Sequence, residues 1–401
     1  MSRFIEGRGP AVTAVLFLVA AVLGFVASDA RAQQQGQGGA DFTTKVRQAI
    51  LMDATTGAVL FQARADELAP PASMSKLMTL AVLFRAIKRG EVKLTDEFLM
   101  SENAWRRGGA PSGTSAMFVP INTRASVDEL IKGIIVQSGN DAAIAVAEAM
   151  AGTEEAFARR MMEEAQPIGL KASTFRNATG LSDPGQLMSV RELAILARHL
   201  IVEYPEHYAI FGQREFNYRR HKFINRNPLL GLVEGVDGLK TGFLKEAGYG
   251  LVASAKQGNR RLIAVVNGAA TPEDRREEAR RLLDWGFRSF SEFKIFDAGE
   301  IVGKARVYGG ERWTVPLTGE GDVMVLLPRT PANPRLRADI IYNSPIKAPV
   351  SKGDRVAILR VKATNDATTE VPLYAAEDVP AAGRMRRGLD SLIHMAFGWM
   401  R

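Results

Sequence analysis

Apolar and polar positions from Lys45 onward fall first into two short extended runs, residues 48–53 and 58–62, around the turn Ala54-Thr55-Thr56-Gly57, and the pattern predicts a hairpin. Past Pro70-Pro71 the period changes. Leu77, Met78, Leu80, Ala81, Leu83 and Phe84 leave almost no polar face, which predicts a helix buried at the centre of a domain. Ser126-Val127-Asp128-Glu129 is a capping-box start for a helix through Ile131, Ile134 and Ile135; it breaks at Ser138-Gly139-Asn140, and a second helix begins after Asp141. Two more helices are expected over 153–168 and 189–201. Residues 236–243, 247–255 and 261–266 then read as strands of one antiparallel sheet, the last two forming a hairpin around Gly258-Asn259. Thr271-Pro272-Glu273-Asp274 caps a helix running to about Phe287.

Near Lys294 the texture changes. Short β-rich runs at 301–307, 312–315, 323–327, 355–361 and 371–374 are separated by Gly309-Gly310, Gly319-Glu320-Gly321 and Gly353-Asp354, a pattern that predicts a small all-β sandwich over 294–380 behind a first domain over 43–293. It carries no catalytic constellation. At the front, Arg3 and Arg8 precede an apolar run and Ala30-Arg31-Ala32 offers small residues for cleavage, so 1–32 reads as a secretory signal peptide and 33–42 as a flexible leader. At the back, over 381–401, Met385, Leu389, Leu392, Ile393, Met395, Phe397, Trp399 and Met400 gather on one helical arc, opposite Arg387, Asp390, Ser391, His394 and Arg401. That is the pattern of a helix lying in a membrane surface.

With 401 residues, 46% hydrophobic and 24% charged, the chain has enough apolar material for two domains with cores of their own. A formal net charge of +8 suits an anionic envelope surface at least as well as nucleic acid, and no aromatic-interleaved basic motif favours the latter, so no nucleic-acid partner is expected. The absence of cysteine rules out disulfides, thiol catalysis and cysteine-ligated metal. Neither a metal nor a cofactor is expected.

The candidate chemistry begins at Pro71-Ala72-Ser73-Met74-Ser75-Lys76. Positions i and i+3 share a helix face, so the Lys76 amine can reach the Ser73 hydroxyl and serve as its base. Only four histidines are present, His199, His207, His221 and His394, and none has obvious Ser-His-Asp company. Taken alone, Ser-x-x-Lys also describes an ordinary polar first turn, Ser138-Gly139-Asn140 an ordinary helix junction, and Lys240-Thr241-Gly242 an ordinary strand end. A glycine at 242 would let a ligand backbone approach the strand closely. The Gly108 to Ser115 loop, rich in Gly, Ser and Pro, is a candidate for the opening of the cleft, although the sequence does not give its position.

Together and in this order the three motifs resemble those of the penicillin-interacting serine acyltransferases. With Met52-Asp53-Ala54-Thr55-Thr56-Gly57, Gln137-Ser138-Gly139-Asn140-Asp141-Ala142, Asn225-Arg226-Asn227 and Val236-Asp237-Gly238, the chain from Lys45 to its end resembles the low-molecular-mass penicillin-binding proteins that are D-alanyl-D-alanine carboxypeptidases. The resemblance implies an α/β (α+β) catalytic domain of the serine β-lactamase/transpeptidase-like fold, an antiparallel sheet flanked by a helical subdomain. It implies Ser73 as nucleophile, Lys76 as general base with its pKa lowered by burial and by Lys240 as a second cation, and Ser138 as proton relay. It implies Asn140 as donor to the substrate amide, Thr241 at the terminal carboxylate with Gly242 beside it, Arg226 and Arg275 near that carboxylate, and the Ser73 and Phe243 N–H groups as the oxyanion hole. Arg276 fits almost as well as Arg275. Phe243 stands where some relatives carry a polar residue such as His.

The activity so implied is removal of the terminal D-alanine from peptidoglycan stem peptides, on the periplasmic side of the bacterial cytoplasmic membrane, with β-lactams as acylating inhibitors. A muropeptide DD-endopeptidase is the alternative on the same fold, and a non-catalytic peptidoglycan-binding scaffold the alternative from another class. A β-lactamase fits less well: between Gln166 and Arg191 there is no glutamate, and Asp183 is the only carboxylate of that loop.

Overall fold

The computed structural model describes residues 42–329, 336–363 and 368–383. The expected signal peptide, the expected leader up to residue 41 and the expected tail helix from residue 384 lie outside the described residues. In chain order the elements are β1 (Gln48–Asp53), β2 (Val59–Ala63), α1 (Lys76–Lys88), β3 (Glu97–Leu99), α2 (Glu102–Gly108), β4 (Arg124–Ser126), α3 (Val127–Lys132), α4 (Asn140–Ala151), α5 (Glu154–Ile168) and α6 (Val190–Glu203). There follow α7 (Pro205–Tyr208), β5 (Glu215–Tyr218), β6 (His221–Ile224), β7 (Val236–Leu244), β8 (Gly248–Gln257), β9 (Arg260–Ala269) and α8 (Pro272–Ser289).

The expected hairpins join in one antiparallel sheet, ordered β2-β1-β9-β8-β7, with β7 at its edge. Side chains alternate across a strand, and the core divides accordingly. Ile50, Met52, Ile263 and Val265 join the helical core of α1, α3, α4 and α6, whereas Ala49, Leu51, Leu262 and Ala264 pack with Ala279, Leu282 and Leu283 of α8. Helix α1 is buried as its all-round apolar pattern requires, Leu77 to Phe84 showing almost no surface.

Two local differences from the sequence pattern matter for the site. Ser73 lies in a 3-10 turn, Ala72–Ser75, and the α-helix begins only at Lys76, because Ala72 takes a left-handed conformation with φ 50° that no continuous helix admits. The helix opened by Ser126 passes into a π turn, Gly133–Gln137; Ser138 closes it with φ 63°, and α4 starts at Asn140 rather than after Asp141. Both departures fall on motif residues.

The second part comprises β10 (Phe290–Phe296), β11 (Gly303–Tyr308), β12 (Thr314–Thr318), β13 (Val323–Pro328), β14 (Leu336–Ile341), β15 (Ile346–Lys347), β16 (Arg355–Ala363) and β17 (Thr368–Ala375). The pair β10–β13 faces the strands β11, β12, β17, β16 and β14, closing the expected sandwich. β14 and β15 carry no strong sequence signal. Strand pairing begins at Phe290, opposite Pro328, rather than at 294. Ala381 bridges Gly310 and Ala382 N donates to Gly309 O, so these residues belong to the sandwich rather than to a tail starting at 381. The sandwich also shares a core with the α8 face: Phe42, Phe61, Trp285 and Phe290 interlock edge to face, and Thr368 of β17 pairs with Val59 of β2.

Candidate active site

The Ser73 turn is gripped from two sides. Gly180 has φ +78°, and a Cβ there would stand 1.9 Å from Ala72 O and 2.6 Å from Ser75 Oγ. At Gly242 a Cβ would lie 2.9 Å from Pro71 O and 3.1 Å from Ala72 Cβ. A Cβ at Gly242 would therefore meet the chain's own 71–74 segment; only a residue without a side chain lets edge strand β7 touch the turn. Below the turn, Gln186 Nε2 donates to Ser75 Oγ and to Asn177 Oδ1, both at 3.2 Å.

Lys76 has no exposed surface. Its Nζ lies 3.0 Å from Ser73 Oγ, 2.6 Å from Asn140 Oδ1 and 2.5 Å from Thr179 O. Asn140 is fixed in turn by the 108–115 loop, which does lie at the cleft: its Nδ2 donates to Thr114 Oγ1 at 2.8 Å and its N to Ser115 O at 2.7 Å. Asp141, fully buried, accepts from Met117 N and Ala142 N and ties that loop to the start of α4. Ser138 is 2% exposed, and its Oγ has no hydrogen-bond partner among the described residues. Buried hydroxyls without partners are rare, and this one is also held in a left-handed backbone, φ 63°.

Lys240 and Thr241 are carried in on β7. Its first turn of chain is pinned by Asp237, which accepts from both Nη atoms of Arg261 at 2.7 Å. Lys240 is buried, with Nζ 3.2 Å from Thr241 O, and Thr241 is buried as well. Arg226 is positioned by its neighbours: Asn225 Nδ2 donates to Gln213 O and Asn227 Nδ2 to Gly238 O, both at 2.8 Å, and Arg226 Nη1 reaches Ser115 Oγ at 2.6 Å. Arg275 faces the sheet, its guanidinium 5.8 Å from the Tyr249 ring centre and its Nε buried without a partner among the described residues. Arg276 points outward to Glu273 at 2.6 Å. Phe243 is 52% exposed and stacked on Tyr249 with ring centres 4.2 Å apart.

Burial, then the Arg226 charge, lowers the Lys76 amine to about 7, against the opposing pull of Asp141 and Glu154. The sequence assigns that second cation to Lys240. Arg226 adds to burial at Lys76, and Lys240, itself held well below its ordinary value by burial, then by Lys76, Arg226 and Arg275, repels the same amine. Four cations crowd one cleft, and the pocket is poised for an anion. A buried amine that is half deprotonated near neutral pH can take a proton from Ser73. Among the described residues no histidine competes: His207 stacks on Phe84, His199 meets Tyr204 edge-on, and His221 lies against Phe118 and Phe223. Among the described residues no three His, Cys, Asp or Glu gather so as to hold a metal ion.

Comparison with known proteins agrees with this geometry. The family model for D-alanyl-D-alanine carboxypeptidase matches residues 32–271. The D-alanyl-D-alanine carboxypeptidase DacC of Escherichia coli is 39% identical over 354 residues, 87% of this chain and 88% of the relative. This chain belongs to the D-alanyl-D-alanine carboxypeptidase family. A second family model, for the C-terminal domain of penicillin-binding protein 5, matches residues 290–381. The crystal structure of penicillin-binding protein 5 from Haemophilus influenzae superposes with a TM-score of 0.73 at 35% identity, over 86% of this chain and all of that one. Penicillin-binding protein D2 of Listeria monocytogenes, solved in its ampicillin-bound form, is similar over 62% of this chain and all of its own, with 27% identity and a TM-score of 0.56.

Several residues at this family site carry no signal that a motif search would find. Thr179 contributes only its carbonyl, and Thr114 and Ser115 act through a loop whose position no local pattern gives. Asn177-Ala178-Thr179-Gly180 does read as a turn, since Asn177 Oδ1 accepts from the N–H groups of Thr179 and Gly180. Glu192, the glutamate nearest the 166–191 loop in sequence, is spent on Ala172 N, Ser173 N and Ser173 Oγ.

Proposed function

We propose that the chain removes the terminal D-alanine from peptidoglycan stem pentapeptides through an acyl-enzyme on Ser73. The observation that carries this is a fully buried Lys76 amine, lowered to about 7, standing 3.0 Å from the Ser73 hydroxyl. Neutral Lys76 takes the Ser73 proton as Oγ attacks the carbonyl carbon of the penultimate D-alanine. The resulting oxyanion accepts from the N–H groups of Ser73 and Phe243; β7 closes the sheet at that edge, so its outward N–H groups meet no further strand. As the tetrahedral intermediate collapses, the C–N bond breaks and the departing amine takes a proton through Ser138, whose Oγ is otherwise unpartnered. Water then attacks the ester and restores Ser73. Asn140 holds Lys76 and the substrate amide, and Lys240, Thr241, Arg226 and Arg275 take the terminal carboxylate.

A penicillin offers the same carboxylate and a strained amide, but its leaving amine stays tethered, so the adduct should outlive the peptide acyl-enzyme. The leader and the amphipathic tail support export and attachment to the outer face of the cytoplasmic membrane. The deciding experiment is incubation with purified pentapeptide muropeptides. Release of free D-alanine, one per stem, is expected; no release by a protein that still forms a penicillin adduct would overturn the reading.

A further inference from the structure

Phe243 is an exposed aromatic side chain at the rim of a cleft otherwise built of polar and charged groups. It is not loose. In the β7–β8 register it faces Tyr249, and the two rings stack at 4.2 Å with an interplanar angle of 25°. Tyr249 in turn carries the Arg275 guanidinium at 5.8 Å, and Arg275 is one of the cations that depress Lys240. The order across the edge of the sheet is therefore Phe243, Tyr249, Arg275. Side chains two apart on a strand share a face, so Phe243 stands beside Thr241, while its neighbour Gly242 is pressed onto the Ser73 turn. A ring fixed in this way stands on the same side of β7 as Thr241, Tyr249 and Arg275.

We propose that the Phe243–Tyr249 stack is a specificity wall that selects a small residue on the leaving side of the scissile bond, Phe243 as the specificity-determining residue and Tyr249 as the residue that positions it. The inference rests on the carboxypeptidase reading above and refines it. A stem pentapeptide leaves as D-alanine, whose side chain is a methyl group. A D-Ala-diaminoacid cross-link also leaves as an amine next to a carboxylate, but its side chain continues into a second stem peptide. Both satisfy Thr241 and the cations; only the second must pass an immobile ring. Stacking supplies the immobility, because displacing Phe243 exposes the Tyr249 face and gives up an aromatic pair. Discrimination here is steric exclusion by a wall already in place, with no new attraction to the smaller substrate.

The test is a competition with the full chain. A pentapeptide monomer and a D-Ala-diaminoacid cross-linked dimer are supplied together, products are separated by chromatography and mass, and the ratio of kcat/KM values, dimer over monomer, is the readout. For Phe243→Ala that ratio should rise by about tenfold or more, while Phe243→Tyr, which retains the ring, should stay within about twofold of the parent. Tyr249→Leu should raise the ratio in the same direction and Tyr249→Phe should not, a pattern that general loss of structure would not give. If Phe243→Ala fails to fold, the Tyr249 pair decides alone. A ratio unchanged in both Phe243→Ala and Tyr249→Leu, or a parent enzyme that cuts dimer as fast as monomer, overturns the inference. Failure of the parent to release D-alanine from the monomer would instead strike the carboxypeptidase reading, and the two failures are told apart in the same chromatogram.

Discussion

Lys76 Nζ stands 2.6 Å from Asn140 Oδ1, a contact between the first residues of two helices that are 64 positions apart in the chain. Through it the amine that serves Ser73 is aimed by the Ser138-Gly139-Asn140 junction. The left-handed Ser138 is what turns the chain so that α4 begins at Asn140, and the strain of that conformation is held by the Asp141 hydrogen bonds to Met117 N and Ala142 N.

The pH dependence of acylation follows from the Lys76 environment. In the proposed mechanism its neutral form is the base, and that form grows as pH rises through about 7. The second-order rate of acylation by a penicillin should rise about tenfold per pH unit below that value and level off above it. Arg226 is the largest charge holding the amine down, so Arg226→Gln should move the rising limb to higher pH and Arg226→Lys should move it less. A limb that stays in place in Arg226→Gln would assign the shift to burial and to Lys240.

Brief exposure to a penicillin should add one drug mass to the intact protein, located on Ser73 by peptide mapping and absent from Ser73→Ala. Lys76→Arg should acylate at least about a thousandfold more slowly, since a guanidinium stays protonated at any working pH. With Glu192 engaged by Ala172 and Ser173, and Asp183 accepting from Gly185 N, the 166–191 loop presents no free glutamate for water, and the adduct should persist through hours of gel filtration. Rapid turnover without an adduct would favour a β-lactamase instead.

Gly180 tests the grip on the nucleophile turn. Alanine there meets both a left-handed backbone and a carbonyl oxygen 1.9 Å from the new Cβ. Gly180→Ala should cost about 2–4 kcal/mol in denaturant unfolding and slow acylation about tenfold or more, because the Ser73 turn must move. An unaffected acylation rate with lowered stability would separate the turn's position from catalysis.

The tail is tested by truncation after Gly383, which keeps the Ala381 and Ala382 pairings to the sandwich. The shortened protein should fail to pellet with anionic vesicles and retain activity on a soluble peptide. Charge reversal at Arg384, Arg386 and Arg387 should weaken vesicle binding more at low salt than at high salt. Unchanged pelleting of the truncated protein would remove the tail from the anchor.

The sequence by itself determined much of this protein. Period-two runs and turn residues located β1, β2, β7, β8 and β9, apolar patterning and capping residues located α1, α5, α6 and α8, and three short motifs with their neighbours pointed to Ser73, Lys76, Ser138, Asn140, Lys240 and Thr241. Such signals are local, since propensity, capping and spacing are properties of a few adjacent residues. What the tertiary structure alone decided depends on groups distant in the chain meeting in a low-dielectric cleft. It added Arg226 to the cations that act on Lys76, brought Thr179 O and the 114–115 segment to the lysine and its asparagine, faced Arg275 inward and Arg276 outward, and gave the space at the Gly242 Cβ position to the 71–74 turn. A pKa, a close approach and a stacked ring are set by what surrounds a residue after folding, and neighbours in sequence do not specify those surroundings.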